Sequence, residues 1–228
     1  HSIVASFAAE AYIREPTIQK DIIVFAAEGD LWSVSSDGGK AQRITSLLGE
    51  EKTPILSPNG QQLMFSSTQD GNREVYIADL PDKGDEVSNI RRITWHSGRD
   101  RPLAWSSDGT MVYFASSRSH PFYANQAFVV SVEGGSPIRL LHPAILTELS
   151  IHSVSNELLF QDSYVDWQPW KRYQGGMAPN IWRFDEAGDL AQITDFEGAD
   201  TAPFWVGDIP YFLSERDGKS NLYRLVND

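Results

Sequence analysis

Pro54-Ile55-Leu56-Ser57-Pro58-Asn59-Gly60, Leu63-Met64-Phe65, Asp70-Gly71-Asn72, Glu74-Val75-Tyr76 and Arg92-Ile93-Thr94 follow one another in one stretch of chain. Together they read as four short strands joined by tight turns. Proline removes a ladder donor, so Pro54 belongs at the first residue of a strand or on an exposed edge. Asp70-Gly71 supplies the positive backbone angles of a tight hairpin. The apolar triplet and the polar, aliphatic, aromatic triplet on either side of it form the second and third strands, and Arg-Ile-Thr forms the fourth.

The same landmarks recur on both sides of this stretch. The third-strand triplet reappears as Asp30-Leu31-Trp32, Gln126-Ala127-Phe128, Asn180-Ile181-Trp182 and Asn221-Leu222-Tyr223. Its copies are spaced at roughly 40 to 55 residues, the period of a four-stranded propeller blade. The second strand recurs at Ile22–Phe25, Val112–Phe114, Leu158–Phe160 and Tyr211–Leu213, and the fourth at Arg43-Ile44-Thr45, Gln192-Ile193-Thr194 and, more weakly, Arg139-Leu140-Leu141. Pro16, Pro102 and Pro203 open further copies, and Asp217-Gly218 repeats the hairpin.

Meanders in tandem predict an all-β fold, a β-propeller of four-stranded antiparallel blades, because a single blade leaves both of its faces unburied. A β-sandwich needs Greek-key crossovers rather than the same four strand types in the same order. Residues 1–15 read as a lead segment and 16–228 as a partial propeller, with blades starting near 16, 54, 102, 149 and 203. A long aromatic and basic connection, Gln161 to Pro179, interrupts the fourth blade. Asp228 falls about halfway through the fifth, so about four and a half to five blades are expected, with an open edge. That edge fits a fragment or closure by another copy.

The formal net charge of -12 argues against a nucleic-acid partner or a polybasic membrane surface. No apolar stretch approaches the roughly 20 residues that span a bilayer. Ile3 to Ala9 has the apolar character of an export-signal remnant but lacks a basic flank. Cysteine is absent, which excludes disulfides and thiolate metal sites.

Candidate chemistry is sparse. No Gly-x-Ser-x-Gly elbow occurs, and Ser66-Ser67 and Ser116-Ser117 read as small residues packed between blades. His1, His96, His120, His142 and His152 lack the close spacing of a zinc site. Asp70 to Glu74 is too short for a calcium loop and carries Arg73 among the would-be ligands. No catalytic residue, metal or cofactor is expected in this segment. The basic residues are scarcer and more informative. His96, Arg99 and Arg101 lie on the connection from the outer strand of blade two to the inner strand of blade three, which crosses one face toward the central channel. A forked guanidinium there suits a peptide's terminal carboxylate. Lys171 and Arg172, beside Trp167, Trp170 and Tyr173, form a second candidate for ligand or interdomain contact through cation–π geometry. Trp32, Tyr76, Phe128, Trp182 and Tyr223 recur at one blade position and read as core.

The Ser-Pro-Asn-Gly turn with its Arg-Ile-Thr strand resembles the PD40-type repeat shared by TolB-like and tricorn-like propellers. Asp30-Leu31-Trp32 with Gly38-Gly39 and Arg43–Ser46, the stretch Trp170-Lys171-Arg172-Tyr173-Gln174-Gly175-Gly176 before Ile181-Trp182, and Val206–Ser214 are more specific. From Pro16 onward the chain resembles the N-terminal β-propeller of tricorn-type proteases. The resemblance implies a six-bladed propeller that channels or filters oligopeptides in a cytoplasmic, hexameric serine peptidase. Such a parent carries a second propeller, a PDZ-like domain and a catalytic core. It implies no catalytic residue here, and the paired basic residues of that family's loop are split by Asp100. The alternatives are a free-standing TolB-like interaction module and a periplasmic or secreted location.

Overall fold

The computed structural model describes residues 12–81, 85–119, 124–140, 145–163 and 172–226. Blade one comprises β1 (Arg14–Gln19), β2 (Ile22–Ala27), β3 (Asp30–Ser35) and β4 (Gln42–Arg43). Blade two comprises β5 (Glu51–Leu56), β6 (Gln62–Ser67), β7 (Glu74–Asp79) and β8 (Ser88–Arg92). Blade three comprises β9 (Asp100–Trp105), β10 (Met111–Ser116), β11 (Gln126–Ser131) and β12 (Ile138–Arg139). Blade four comprises β13 (Glu148–Ile151), β14 (Leu158–Gln161), β15 (Ile181–Phe184) and β16 (Leu190–Gln192). Blade five comprises β17 (Asp200–Val206), β18 (Ile209–Ser214) and β19 (Asn221–Arg224). Each sheet is an antiparallel meander in chain order, and no helix occurs among the described residues. The first strands lie against one another in sequence, β1 on β5, β5 on β9, β9 on β13 and β13 on β17, so the blades stand side by side around an axis.

Four of the five first strands begin ahead of a proline: at Arg14, Glu51, Asp100 and Asp200. The innermost strand of a blade is paired on one side only, so a proline inside it costs no ladder bond. Proline falls where the register of β1, β5, β9 and β17 shifts.

The core lies between blades. Along β6, Leu63 and Phe65 pack with Val24 and Leu31 of blade one, while Met64 packs with Val112 and Phe114 of blade three. Alternate side chains therefore face opposite neighbours, and both are apolar because both faces are buried. The second- and third-strand aromatics sit opposite one another and stack: Phe65 on Tyr76, Phe114 on Phe128, Phe160 on Trp182 and Phe212 on Tyr223. The turn aspartate accepts a hydrogen bond from the tyrosine hydroxyl in two blades, Asp70 from Tyr76 and Asp217 from Tyr223. Among the described residues, blades one and five have a neighbouring blade on one side only, and there Ile18 (61%) and Leu222 (57%) are exposed.

The repeated motifs also bond to each other. The threonine of the fourth-strand triplet accepts the amide N–H of the aliphatic residue in the third-strand triplet, at Leu31 to Thr45 (2.8 Å), Val75 to Thr94 (3.0 Å) and Ile181 to Thr194 (2.9 Å). Thr94 also donates to the buried Glu74 carboxylate at 2.6 Å. Replacing Thr94 with valine keeps the shape but strands both partners. Urea unfolding should show a loss of about 2–3 kcal/mol.

Candidate functional site

In each meander the second-to-third-strand turn and the crossover to the next blade emerge at the same end, the crossover end. There the innermost strands bring one side chain per blade to equivalent places. Arg14, Lys52, Arg101, Glu148 and Thr201 pair across to Ala26, Ser66, Ala115, Gln161 and Leu213, each of which follows the second-strand aromatic or, in blade five, Phe212. The next residue is strained in three blades, with φ of 51° at Glu15, 51° at Thr53 and 49° at Ala202. Positive φ at a β-branched residue such as Thr53 is an outlier of the kind that gathers at ligand sites. The twist turns the Thr53 amide to donate to Glu15 Oε2 at 2.6 Å, tying blade two to blade one. A cavity of about 310 Å³ opens here, lined by Glu15, Pro16, Thr17, Thr53, Pro54, Ile55, Arg101 and Glu148.

Charge at this mouth is shared. The Glu50 carboxylate lies 2.7 Å from Lys52 Nζ, 2.8 Å from Arg73 Nη2 and 3.9 Å from Arg14 Nη2. The bond from Lys52, reinforced by Arg73, holds the Glu50 carboxyl below its usual range. Arg101 Nη2 donates to the Thr147 carbonyl, and its Nη1 lies 3.8 Å from Glu148 Oε1.

The expected residues therefore separate. Arg101 belongs to β9 and lines the cavity, rather than lying in the crossover itself. Arg99 ends the crossover and is exposed. Asp100 between them is fully buried on an ion pair with Arg118. His96 is tied into its loop: its amide donates to Glu74 Oε1, Asn72 donates to its carbonyl, and its Nδ1 accepts the Gly98 amide at 2.8 Å. That bond assigns the ring proton to Nε2. Arg172 lies at the same end, with φ of 59°, its amide on Glu215 Oε2 and its Nε on the Gly218 carbonyl. With Tyr173, Phe196 and Arg216 it lines a groove of about 210 Å³ between blades four and five. Lys171, Trp167 and Trp170 of the same stretch lie outside the described residues, as do His1, His120 and His142.

Sequence reasoning missed a set of buried acids. Glu51, Asp100 and Asp200 begin three innermost strands opposite Ser67, Ser116 and Ser214, and all are fully buried. Arg118 and Arg216, two residues past their serines, reach back to Asp100 and Asp200. Each guanidinium also lies over the aromatic stack of its blade. The signal was an acid two or three residues before a proline, followed by Ser-x-Arg after the next aromatic strand.

Residues 10–228 match the model of the tricorn protease N-terminal β-propeller domain. Tricorn protease homolog 1 of Streptomyces coelicolor is 31% identical over 226 residues, covering 97% of this chain and 20% of that protein. The crystal structure of the tricorn protease superimposes with a TM-score of 0.79 at 22% identity, over 94% of this chain and 21% of that one. The structure of a putative TolB from Agrobacterium tumefaciens shares the fold, with a TM-score of 0.63 at 20% identity over 90% of this chain and 70% of its own. The chain thus spans about a fifth of the length of the tricorn relative. On the family match, which takes in all five blades, the chain belongs to the tricorn protease N-terminal β-propeller family.

Proposed function

We propose that this propeller is a scaffold and a channel or filter for oligopeptides in a tricorn-like serine peptidase, in the cytoplasm. The catalytic residues lie elsewhere in the parent, which assembles as a hexamer. The observation that carries this reading is the crossover mouth. Arg101 lines the cavity there beside the strained Glu15 and Thr53, and Arg99 stands exposed at the crossover next to it. A guanidinium presents paired donors that match a carboxylate, so the mouth suits the C-terminal end of a peptide.

Replacing Arg99 and Arg101 together with alanine in the full-length protease tests this. Hydrolysis of peptides with a free C-terminus should fall at least about fivefold in kcat/KM relative to the same peptides amidated, about 1 kcal/mol of lost carboxylate recognition. Equal effects on both series would remove the carboxylate role and favour a protein-interaction module of the TolB kind.

A further inference from the structure

Blade two departs from the pattern of blades three and five. Its buried acid is Glu51, fully enclosed, and the place that Arg118 and Arg216 hold in their blades is taken by Gln69. The equivalence is structural: the amides of Gln69, Arg118 and Arg216 donate to the hydroxyls of Ser67, Ser116 and Ser214 at 3.2, 3.3 and 3.3 Å. Glu51 Oε1 accepts from Ser67 at 3.4 Å, while Oε2 is buried without a hydrogen-bond partner.

The charges around this carboxyl are committed elsewhere. Arg14 of β1, Lys52 of β5 and Arg73 of the hairpin are held by Glu50. Arg43 of β4 pairs with Asp30 of β3, and Arg92 of β8 pairs with Asp70 and Glu74. On the β9 side, Asp100 is taken by Arg118 and Arg101 lies by Glu148. Glu15 accepts from Thr53, Glu28 sits in the β2–β3 turn, and the nearby Asp30 carboxylate raises the Glu51 carboxyl further, against the Thr45 and Ser67 hydroxyls, which lower it. Among the described residues no cation pairs with Glu51. An ionised carboxylate buried in this way is strongly disfavoured.

We infer that Glu51 is held as the neutral acid, and that its proton secures the channel-lining end of β5 against blade one. The Glu51 amide donates to the Gly29 carbonyl of blade one at 2.8 Å, and two residues on lies the Thr53 to Glu15 tie. Ionisation of this side chain therefore loosens the seam between blades one and two at the crossover mouth, whatever passes through it. Burial places the Glu51 carboxyl at about 7 against an ordinary 4.5. The folded chain thus keeps a proton that the unfolded chain releases. Stability falls as pH rises from about 4.5 through 7 and levels off above that.

The test compares the full chain with Glu51→Gln, which is uncharged and isosteric, and with Gln69→Arg, which supplies the blade-five arrangement. Between pH 5 and 8.5 the wild-type melting temperature should fall by several degrees more than that of either variant. The Glu51 and Thr53 amides should lose hydrogen-exchange protection above pH 7 in the wild type alone. If Glu51→Gln does not fold, Gln69→Arg and a carbon-13 titration of the Glu51 carboxyl carry the test, the latter expected near neutrality. A carboxyl titrating in the ordinary glutamate range, or parallel melting curves in wild type and variants, would overturn the inference.

Discussion

Replacing Arg118 with alanine is expected to destabilise the chain by about 3–5 kcal/mol at pH 8, among the largest effects of any single polar change here. Asp100 is wholly buried, and the guanidinium of Arg118, 2.5 Å away, neutralises it. Without the arginine the carboxylate has no counter-charge, and the Phe114 and Phe128 rings lose the group stacked over them. Even with Arg118 in place, burial pushes the Asp100 carboxyl above its usual range. A raised carboxyl loses stability as pH rises through its folded value, and removing the cation raises it further. The deficit of Arg118→Ala against wild type should therefore be greatest in alkali and shrink as acid protonates Asp100. Urea denaturation at pH 8 and pH 5 checks both the size and the sign. A deficit that does not change with pH would mean that Arg118 acts by packing alone.

Phe114→Ala should be comparably damaging, about 3–5 kcal/mol, for a different reason. The ring is fully enclosed, lies 5.7 Å from that of Phe128 and packs with Met64 and Ile77 of blade two. Truncation opens a cavity at the seam between blades two and three, which the surrounding close-packed side chains fill only in part. Leu222→Ala, on the uncovered side of blade five, should change stability by less than about 0.5 kcal/mol in this chain. The contrast tests the statement that the core lies between blades, and equal losses at both positions would contradict it. Because Arg118 lies over Phe114, the two deletions should combine to less than their sum.

The sequence by itself determined the blades. Turn type depends on residues in direct succession, so Gly71 and Gly60, both at positive φ, marked their turns locally, although the connection from Ser67 to Glu74 is longer than a tight hairpin. A strand buried on both faces must be apolar throughout, which made Leu63-Met64-Phe65 legible as a blade interior. The tertiary structure alone decided the site. Glu15, Thr53, Arg101 and Glu148 belong to four different blades and line one cavity only when those blades stand around an axis, with inner-strand bulges that no alternation rule predicts. It alone decided the buried charges too, because Asp100 and Glu51 look alike in sequence. What separates them is whether an arginine or a glutamine reaches back across the hairpin, and a buried charge is stable only where its partner is brought to it.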